Sequence, residues 1–181
     1  MGVATELSSL RKKLDAADLP CCFCHNDLSN TNCHRDPSSG SVRLIDFEFG
    51  GWNYRGFDLA THLTHWAGGA IDGLYDDSAF PSKEERRPFL EAYAARMHSP
   101  KNAVADSCNS MDTAATVARL EAEISATLPL AHAVWGLWAL CALPAAVANG
   151  AADTAPFSHV EYAERRLAAF FKSLTSDSPP S

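Results

Sequence analysis

Apolar positions near the start of the chain follow a helical spacing. Leu7, Leu10 and Leu14 recur at steps of three and four residues, which predicts a short helix from about Ala4 to Ala17. Pro20 follows directly, and proline cannot continue a helix because it lacks the backbone N–H and clashes with the preceding turn. The chain therefore opens with an amphipathic helix that ends before residue 20.

Two short apolar runs come next and predict strands. The runs are Cys21–Cys24 and Val42–Ile45, and their length favours buried strands. The segment between them, residues 26–41, is polar and contains Pro37 and Gly40 among several Asn and Asp residues, a composition typical of turns and loops. We expect the two strands to lie side by side as a hairpin that flanks a polar loop.

The rest of the chain returns to helical spacing and predicts a helical body. Four groups of apolar positions recur at helical steps: Leu59, Leu63 and Trp66; Phe89, Leu90, Tyr93 and Met97; Leu120, Ile124, Leu128, Ala131, Trp135, Trp138 and Ala142; and Val160, Leu167, Phe170 and Phe171. Ser82 and Glu85 form a capping-box pattern before the second helix. Residues 99–113 are polar and are expected to be loose. The pattern predicts an α+β fold that is mostly α.

Length and charge restrict the class of protein. The chain has 181 residues, of which 46% are hydrophobic, and 22 acidic side chains against 15 basic ones give a net charge of −7. This length suits one well-filled core and is short for two full domains. The basic clusters at residues 11–13 and 86–87 are isolated, whereas a nucleic-acid reader needs a continuous basic face. We therefore expect no nucleic-acid partner.

One uncharged stretch, residues 124–152, is long enough to cross a bilayer. It is rich in alanine, contains Pro129, His132 and Pro144, and has no Lys or Arg anchor close to either end. A buried core helix is the favoured interpretation, and no stable membrane insertion is expected. The N-terminus has no apolar run of signal-peptide length, so we expect a cytoplasmic protein.

Six cysteines are expected to be reduced thiols in that compartment. Cys22, Cys24 and His25, followed by Cys33 and His34, form an alternative pattern, a thiolate and imidazole metal cluster. The spacing differs from the usual C-x2-C zinc knuckles, and Cys22 and Cys24 alternate along a strand-like run. Buried free thiols are therefore the favoured interpretation.

Polar residues that suit phosphoryl transfer concentrate at the ends of the two predicted strands. They are His25, Asp27 and Asn32 after the first strand, and Asp46 and Glu48 after the second. Carboxylates and an amide brought to one edge provide the oxygen ligands that Mg²⁺ prefers, and a carboxylate not tied to metal accepts a hydroxyl proton. Each residue taken singly has the plainer interpretation of a turn residue. The set together indicates a phosphotransferase.

These motifs resemble the catalytic lobe of choline and ethanolamine kinases. The resemblance is carried by residues 25–32 (HNDLSNTN), 44–48 (LIDFE), 53–62 (NYRGFDLATH) and 135–138 (WGLW). It continues through Tyr75, Pro81 and Ser82 and covers the chain from about residue 20 to 172. It implies the C-terminal lobe of a protein-kinase-like fold, in which a small β-hairpin carries the catalytic loop and a helical body follows.

The resemblance also implies roles for the polar residues. Asp27 matches the base that orients the substrate hydroxyl, and His25 opens the same catalytic motif. Asn32 and Asp46 match the ligands of Mg²⁺, and Glu48 matches an acidic residue of the metal and active-site shell. ATP is the implied co-substrate.

An aromatic pocket for the amino head group is implied by five further positions: Trp135, Trp138, Tyr162, Phe157 and Phe49. A quaternary ammonium has no hydrogen to donate, so aromatic faces are its natural partners. The alternative for the two tryptophans is a core stripe on a helix. The sequence does not decide between choline and ethanolamine as the substrate. Ethanolamine differs from choline because its ammonium group retains N–H donors, which need hydrogen-bond acceptors.

Two features depart from the family pattern. Asp58 matches a residue that braces the catalytic loop, but His65 stands before Trp66 where these enzymes usually carry a glutamate. The negative charge that faces the cationic head group is then weaker, or another residue supplies it. Only 26 residues precede Asp27, and no Gly-rich phosphate loop is present. We expect a C-terminal lobe over residues 1–174, a disordered tail over 175–181, and no N-terminal nucleotide lobe.

The leading hypothesis is an ATP- and Mg²⁺-dependent kinase of choline or ethanolamine that is weakly active or inactive as this chain alone. A homo- or heterodimer with a kinase chain would then supply the nucleotide lobe. The alternative is a non-catalytic choline- or partner-binding module with an exposed apolar surface. A third reading, an aminoglycoside phosphotransferase, is disfavoured by Trp135, Trp138 and Tyr162, because polycationic sugars are met by carboxylates.

Overall fold

The computed structural model describes residues 2–97, 113–148 and 157–175. Its five helices and four strands in the described residues are α1 Val3–Ala16, β1 Cys21–Cys24, β2 Cys33–Arg35, β3 Val42–Leu44, β4 Gly51–Tyr54, α2 Arg55–Thr64, α3 Lys83–Met97, α4 Thr113–Ala148 and α5 His159–Ser173. The mostly helical α+β class predicted from the sequence agrees with this architecture. The predicted loose segment at 99–113, apart from Thr113 at the start of α4, and most of the predicted tail lie outside the described residues.

The strands form two small sheets, and the predicted hairpin of Cys21–Cys24 with Val42–Ile45 is wrong. β1 pairs antiparallel with β4, with Phe23 opposite Trp52. β3 pairs instead with β2, with Cys33 opposite Leu44. The short strands β2 and β4 were missed because segments of three and four residues are too short for a pattern of apolar positions to identify them. The polar loop of residues 25–32 therefore lies between two sheets.

The strands are also more exposed than their apolar sequences suggested. Within β1 only Cys24 is buried, and every residue of β3 is exposed. Phe23 and Trp52 are 63% and 80% exposed. Two-stranded sheets have too little surface to bury both faces, so the apolar runs mark strand formation here but not burial.

The helical body contains the main core, and α4 lies at its centre. α4 packs against α1, α2, α3 and α5, and its buried side chains include Leu120, Ile124 and Leu128. By length and composition α4 is apolar enough to cross a membrane, yet half of that stretch is buried within the molecule. The fold uses α4 as a core helix, as the sequence analysis favoured.

Close contact between α2 and α4 fixes the position of the site. A Cβ atom at Gly56 would lie 2.5 Å from the backbone oxygen of Glu123, so only glycine allows this approach. Next to it, Arg55 donates to both carboxylate oxygens of Glu123, at 2.9 Å from Nε and 2.5 Å from a terminal nitrogen. This bidentate pair is nearly buried on both sides. The start of α2, which carries the residues that hold the polar loop, is thereby fixed to the core helix.

The other helices behave largely as their spacing predicted. Ser82 and Glu85 make the predicted capping box: the Glu85 amide donates to the Ser82 hydroxyl and the Ser82 amide donates to the Glu85 carboxylate. In the α2 region Leu59 and Leu63 are buried, whereas Trp66 is 45% exposed. Trp66 was expected to continue this helix, but α2 ends at Thr64 and a 3-10 turn follows, which rotates the later side chains off the helical face.

Candidate active site

The polar loop of residues 25–32 is held by side chains of α2. The two oxygens of the Asp58 carboxylate accept hydrogen bonds from the backbone amides of His25 and Asn26, at 2.9 and 2.8 Å. One turn later, the His62 ring bonds the backbone oxygen of Leu28 at 3.0 Å. Hydrogen bonds to a charged acceptor are stronger than neutral ones. The loop's conformation thus depends on a helix that is itself fixed to the core.

Asp27 and Asn32 contact each other across the loop. The amide nitrogen of Asn32 donates to the carboxylate and to the backbone oxygen of Asp27, both at 2.9 Å. Asn32 is buried, and the Asp27 side chain is 21% exposed. Burial raises the pKa of Asp27 above its usual range, and the hydrogen bond from Asn32 opposes that rise. Asp27 is therefore a partly desolvated carboxyl with a fixed orientation.

The second acidic segment, residues 45–48, is tied to the loop by backbone contacts. The Ile45 amide donates to the Asn32 backbone oxygen at 3.1 Å, and the His25 ring bonds the Ile45 oxygen at 2.7 Å. Asp46 then adopts a left-handed conformation, with φ of 63°, an uncommon region for a non-glycine residue. The negative charges of Asp46 and Glu48 add to the rise in the Asp27 pKa, so the three carboxylates share one neighbourhood.

No three His, Cys, Asp or Glu side chains in the described part of the chain are arranged to hold a metal ion. This finding disfavours the zinc alternative. Cys22 and Cys24 are close, with sulfurs 3.7 Å apart, but both are free thiols. Mg²⁺ has a smaller requirement, since one or two carboxylates suffice when water and substrate phosphates complete its shell. Asn32, Asp46 and Glu48 supply oxygen donors of that kind.

An aromatic cavity opens directly beside Asp27. It has a volume of about 160 Å³ and is lined by Asp27, Ser29, Thr31, Glu48, Phe49, His65, Gly69, Ala70, Trp135, Trp138, Phe157 and Tyr162. The rings form a continuous series: Phe49 to Trp135 at 5.8 Å, Trp135 to Trp138 at 5.7 Å, and Trp138 to Phe157 at 6.1 Å between centroids. Phe157 continues to Tyr162 at 5.2 Å. All five aromatic positions named from the sequence meet in this cavity.

His65 lies between the aromatic wall and Asp27. Its ring is 6.2 Å from that of Trp135, and its Nε2 atom is 3.9 Å from Oδ1 of Asp27. The side chain is buried, and neither ring nitrogen has a hydrogen-bond partner among the described residues. Burial, assisted by the positive charge of Arg166, lowers the pKa of His65 to about 3. His65 is therefore a neutral imidazole at the edge of the cavity.

A buried arginine behind the cavity was not identified from the sequence. Arg166 is fully buried, and one terminal nitrogen donates to the Ala131 backbone oxygen at 3.0 Å. Its guanidinium lies 4.8 Å from the Tyr75 ring centroid and 5.6 Å from that of Tyr162. The signal was present, because Tyr162, Arg166 and Phe170 follow at steps of four residues and place the arginine on the apolar face of the last helix.

A side-chain network beneath the loop was also missed. Asn53 donates to the Asn26 side chain at 2.8 Å, and Asn26 donates in turn to the Phe49 backbone oxygen at 2.8 Å. Asn26 has a positive φ of 66°, which asparagine tolerates better than most residues. The network connects β4 through the loop to Phe49. It therefore links the loop that carries Asp27 to the aromatic cavity, which Phe49 lines.

Comparison with known proteins gives a consistent result. The family model described as choline/ethanolamine kinase matches residues 2–171. Ethanolamine kinase 2 of Mus musculus is 32% identical over 92% of this chain and 38% of its own length. Choline/ethanolamine kinase of Mus musculus is 30% identical over 97% of this chain and 44% of its own length. The chain thus spans about two fifths of the length of these relatives.

Solved structures agree in fold. An ethanolamine kinase of Plasmodium vivax superposes with a TM-score of 0.70 and 24% identity, covering 93% of this chain and 38% of its own. A choline kinase of Cryptosporidium parvum gives a TM-score of 0.60 and 19% identity over 85% of this chain and 38% of its own. At these identities the likeness establishes the fold alone.

Proposed function

Because this chain belongs to the choline/ethanolamine kinase family, we propose that it supplies the catalytic loop, the Mg²⁺ site and the amino-alcohol pocket of an ATP-dependent phosphotransferase. The acceptor is the hydroxyl of choline or ethanolamine, and the product is a phosphorylated lipid head group. The observation that carries the proposal is the cavity in which Asp27 and Glu48 meet Trp135, Trp138 and Tyr162. The lobe is the C-terminal one of a protein-kinase-like fold.

Asp27 is the group that accepts the proton of the substrate hydroxyl in this proposal. It faces the cavity, and Asn32 fixes its orientation. The hydroxyl oxygen forms a bond to the γ-phosphorus of ATP as the bond to the ADP oxygen breaks, and its proton passes to Asp27. Partial desolvation supports this role, because a raised pKa makes the carboxylate a stronger proton acceptor. His25 contributes by fixing the adjoining segment through Ile45.

Asn32, Asp46 and Glu48 are the residues that would hold Mg²⁺. The amide nitrogen of Asn32 is engaged by Asp27, which leaves the amide oxygen as the atom suited to a cation. Mg²⁺ would neutralise charge on the transferred phosphoryl group. Asp58 serves as the brace of the loop, since its carboxylate accepts two of the loop's amides.

The aromatic cavity is the head-group site. Cations bind the faces of Trp, Tyr and Phe at about 0.5 to 2 kcal/mol per contact, more when the site is desolvated. Tyr162 and Trp135 are buried, and Trp138 is 37% exposed, so the cavity combines desolvated walls with an open side. Asp27 and Glu48 at its edge supply negative charge to a cationic ligand. We also propose a cytoplasmic location, in keeping with the free thiols of the described residues.

A second candidate function is favoured by one observation. Phe23, Phe47 and Trp52 are all at least 49% exposed, and the Phe23 and Phe47 rings stack at 6.5 Å. An exposed apolar patch of this kind marks an interaction surface. It suits a binding module that keeps the amino-alcohol pocket and pairs with a kinase chain.

Calorimetric titration of the 181-residue chain tests the pocket. Choline and ethanolamine are titrated separately, and we expect Trp138→Ala to weaken binding about tenfold, the loss of roughly 1.4 kcal/mol that one cation–π contact provides. The matched control is Trp66→Ala, because Trp66 is similarly exposed and lies outside the cavity lining. Equal weakening by both variants would contradict the assigned pocket.

A phosphotransfer assay separates the two candidates. Transfer of phosphate from ATP to either amino alcohol, abolished by Asp27→Ala, supports the kinase. Binding of the amino alcohol without affinity for ATP supports the binding module. Failure of the wild-type chain to bind either amino alcohol contradicts both.

A further inference from the structure

His65 is the cavity residue whose hydrogen-bonding groups are left unused. Both ring nitrogens are buried and lack partners in the ranges that the structure describes, although buried polar atoms in native proteins are nearly always paired. The residue also lines the cavity that contains Asp27. A ligand in the cavity is therefore positioned to complete the bonding of this imidazole.

The separation of His65 from Asp27 matches a single bridging atom. Nε2 of His65 and Oδ1 of Asp27 are 3.9 Å apart, which is too long for a direct hydrogen bond. One oxygen placed beside the line between them reaches both at about 2.8 Å, an ordinary hydrogen-bond length. Oδ2 of Asp27 is already engaged by Asn32, so Oδ1 is the oxygen left to face this gap.

Charge and tautomer determine what the bridging atom must be. His65 is buried and lies near the guanidinium of Arg166, and both effects keep it neutral. A neutral imidazole has one N–H donor and one acceptor nitrogen. The carboxylate oxygen opposite Nε2 favours the tautomer with hydrogen on Nε2. The gap thus has a donor on one side and an acceptor on the other, which suits a hydroxyl group.

We propose that His65 is a positioning residue for the hydroxyl of the substrate. Nε2–H of His65 donates to the hydroxyl oxygen, and the hydroxyl donates its own hydrogen to Oδ1 of Asp27. One lone pair of the oxygen is then held by His65, and the other is directed at the phosphorus. His65 keeps its proton throughout the reaction. The role serves choline and ethanolamine alike, and it rests on the proposed function.

A pair of ligands that differ only in the hydroxyl group tests this role. Choline and ethyltrimethylammonium are titrated by calorimetry into the full 181-residue chain. The dissociation constant of ethyltrimethylammonium divided by that of choline measures the contribution of the hydroxyl. We expect His65→Leu to lower that ratio by about five- to tenfold, the value of one hydrogen bond, while the affinity for ethyltrimethylammonium stays within about twofold. His65→Gln, whose amide nitrogen donates from a similar position, restores part of the ratio.

The matched control is His34→Leu, because His34 lies on β2 and is exposed. It should leave the ratio unchanged. If His65→Leu fails to fold, as judged by circular dichroism, the ratio in His65→Ala decides the question in the same way. A ratio that His65 variants leave unchanged overturns the role and indicates an ordered water as the partner of His65. If the wild-type chain binds neither choline nor ethyltrimethylammonium, the amino-alcohol pocket itself is overturned, and the role of His65 with it.

Discussion

The helical body and the sheet edge of this chain are built in opposite ways. In the body, Leu63, Leu90 and Leu120 are fully buried around α4. At the sheet edge, defined as residues 21–54, the large side chains Phe23 and Trp52 face outward. Nevertheless, the acidic candidate residues belong to the edge. Their precise placement comes from α2 of the body, which holds the loop through Asp58 and His62.

This contrast explains how a thinly packed region presents an ordered site. Positioned side chains are most precise when rigid elements hold them, and here the rigid element is a helix fixed to the core by a buried ion pair. Most of the aromatic half of the site belongs to the body, with Trp135 and Trp138 on α4 and Tyr162 on α5, whereas Phe49 belongs to the sheet edge. The four predictions that follow test whether the edge depends on the body in this way.

The largest effect is expected from breaking the ion pair beneath α2. Glu123→Ala leaves Arg55 without its bidentate partner in a nearly buried position, and removing one partner of a buried pair costs about 3 to 5 kcal/mol. Urea unfolding of the full chain measures the loss. The control is Glu91→Ala, which removes an exposed pair with Arg87 and should cost less than about 1 kcal/mol. Similar losses in both variants would contradict the assigned importance of this contact.

The next effect separates the site from the fold. Asp58→Asn replaces one of the two carboxylate oxygens that accept the loop amides of His25 and Asn26 with an NH2 group, and each such bond is worth about 1.5 to 3 kcal/mol. We expect the affinity for Mg²⁺ to fall by about tenfold or more, measured by calorimetry, while circular dichroism shows the helices intact. Asp72→Asn is the control, because Asp72 accepts a backbone bond in an exposed turn. Retained Mg²⁺ affinity in Asp58→Asn would argue against a braced loop.

Acid should weaken the body through its buried histidines. Burial lowers the pKa of His65 to about 3 and that of His132 well below its usual value. The two histidines contribute their full stabilisation above about pH 6.5, where they are neutral in both states. Below that pH only the unfolded state takes up their protons, so the free energy of unfolding decreases as the pH falls toward their folded-state pKa values. Stability should fall by about 1.4 kcal/mol per pH unit for each histidine.

Urea unfolding between pH 7 and pH 5 measures this dependence. His132→Gln should reduce the slope of the free energy of unfolding against pH by the amount that one proton contributes, even if the substitution changes the stability at pH 7. A slope that the substitution does not alter would mean that His132 is accessible to protons in the folded state.

The smallest effect on stability is expected at the sheet edge. Trp52→Ser changes a side chain that is 80% exposed, so the free energy of unfolding should change by less than about 0.5 kcal/mol. Sedimentation velocity should instead show reduced self-association. Val147→Ser, an exposed apolar position on α4, is the control and should leave association unchanged. A large loss of stability in Trp52→Ser would show that the edge has a core of its own.

How well the sequence predicted the structure differs between the same two regions. In the body, repeated steps of three and four residues located the helices, because each helix buries one continuous apolar face. At the edge, the pairing of the strands was predicted wrongly. Register and partners of three- and four-residue strands depend on contacts between distant segments, such as Cys21 opposite Tyr54, and a local pattern carries little of that information.

The roles of the candidate site residues stay predictions, whereas their proximity is visible in the structure. The structure brings Asp27, Asn32 and the five aromatic positions together, and those residues were identified by their motifs. Arg166, which is buried, was missed because charged residues on terminal helices are usually solvated, although its spacing of four residues from Tyr162 and Phe170 placed it on the apolar face of α5. That neither ring nitrogen of His65 has a hydrogen-bond partner among the described residues likewise depends on tertiary packing.

The central claim is that the acidic residues Asp27, Asp46 and Glu48 and the aromatic cavity form one site. Mn²⁺ suits the same oxygen ligands as Mg²⁺ and accelerates the relaxation of protons close to it. We expect Mn²⁺ bound to the chain to broaden the NMR signal of the choline methyl protons, and Asp46→Ala to abolish the broadening while choline still binds. Choline that binds with unbroadened methyl signals in the presence of bound Mn²⁺ would contradict the claim.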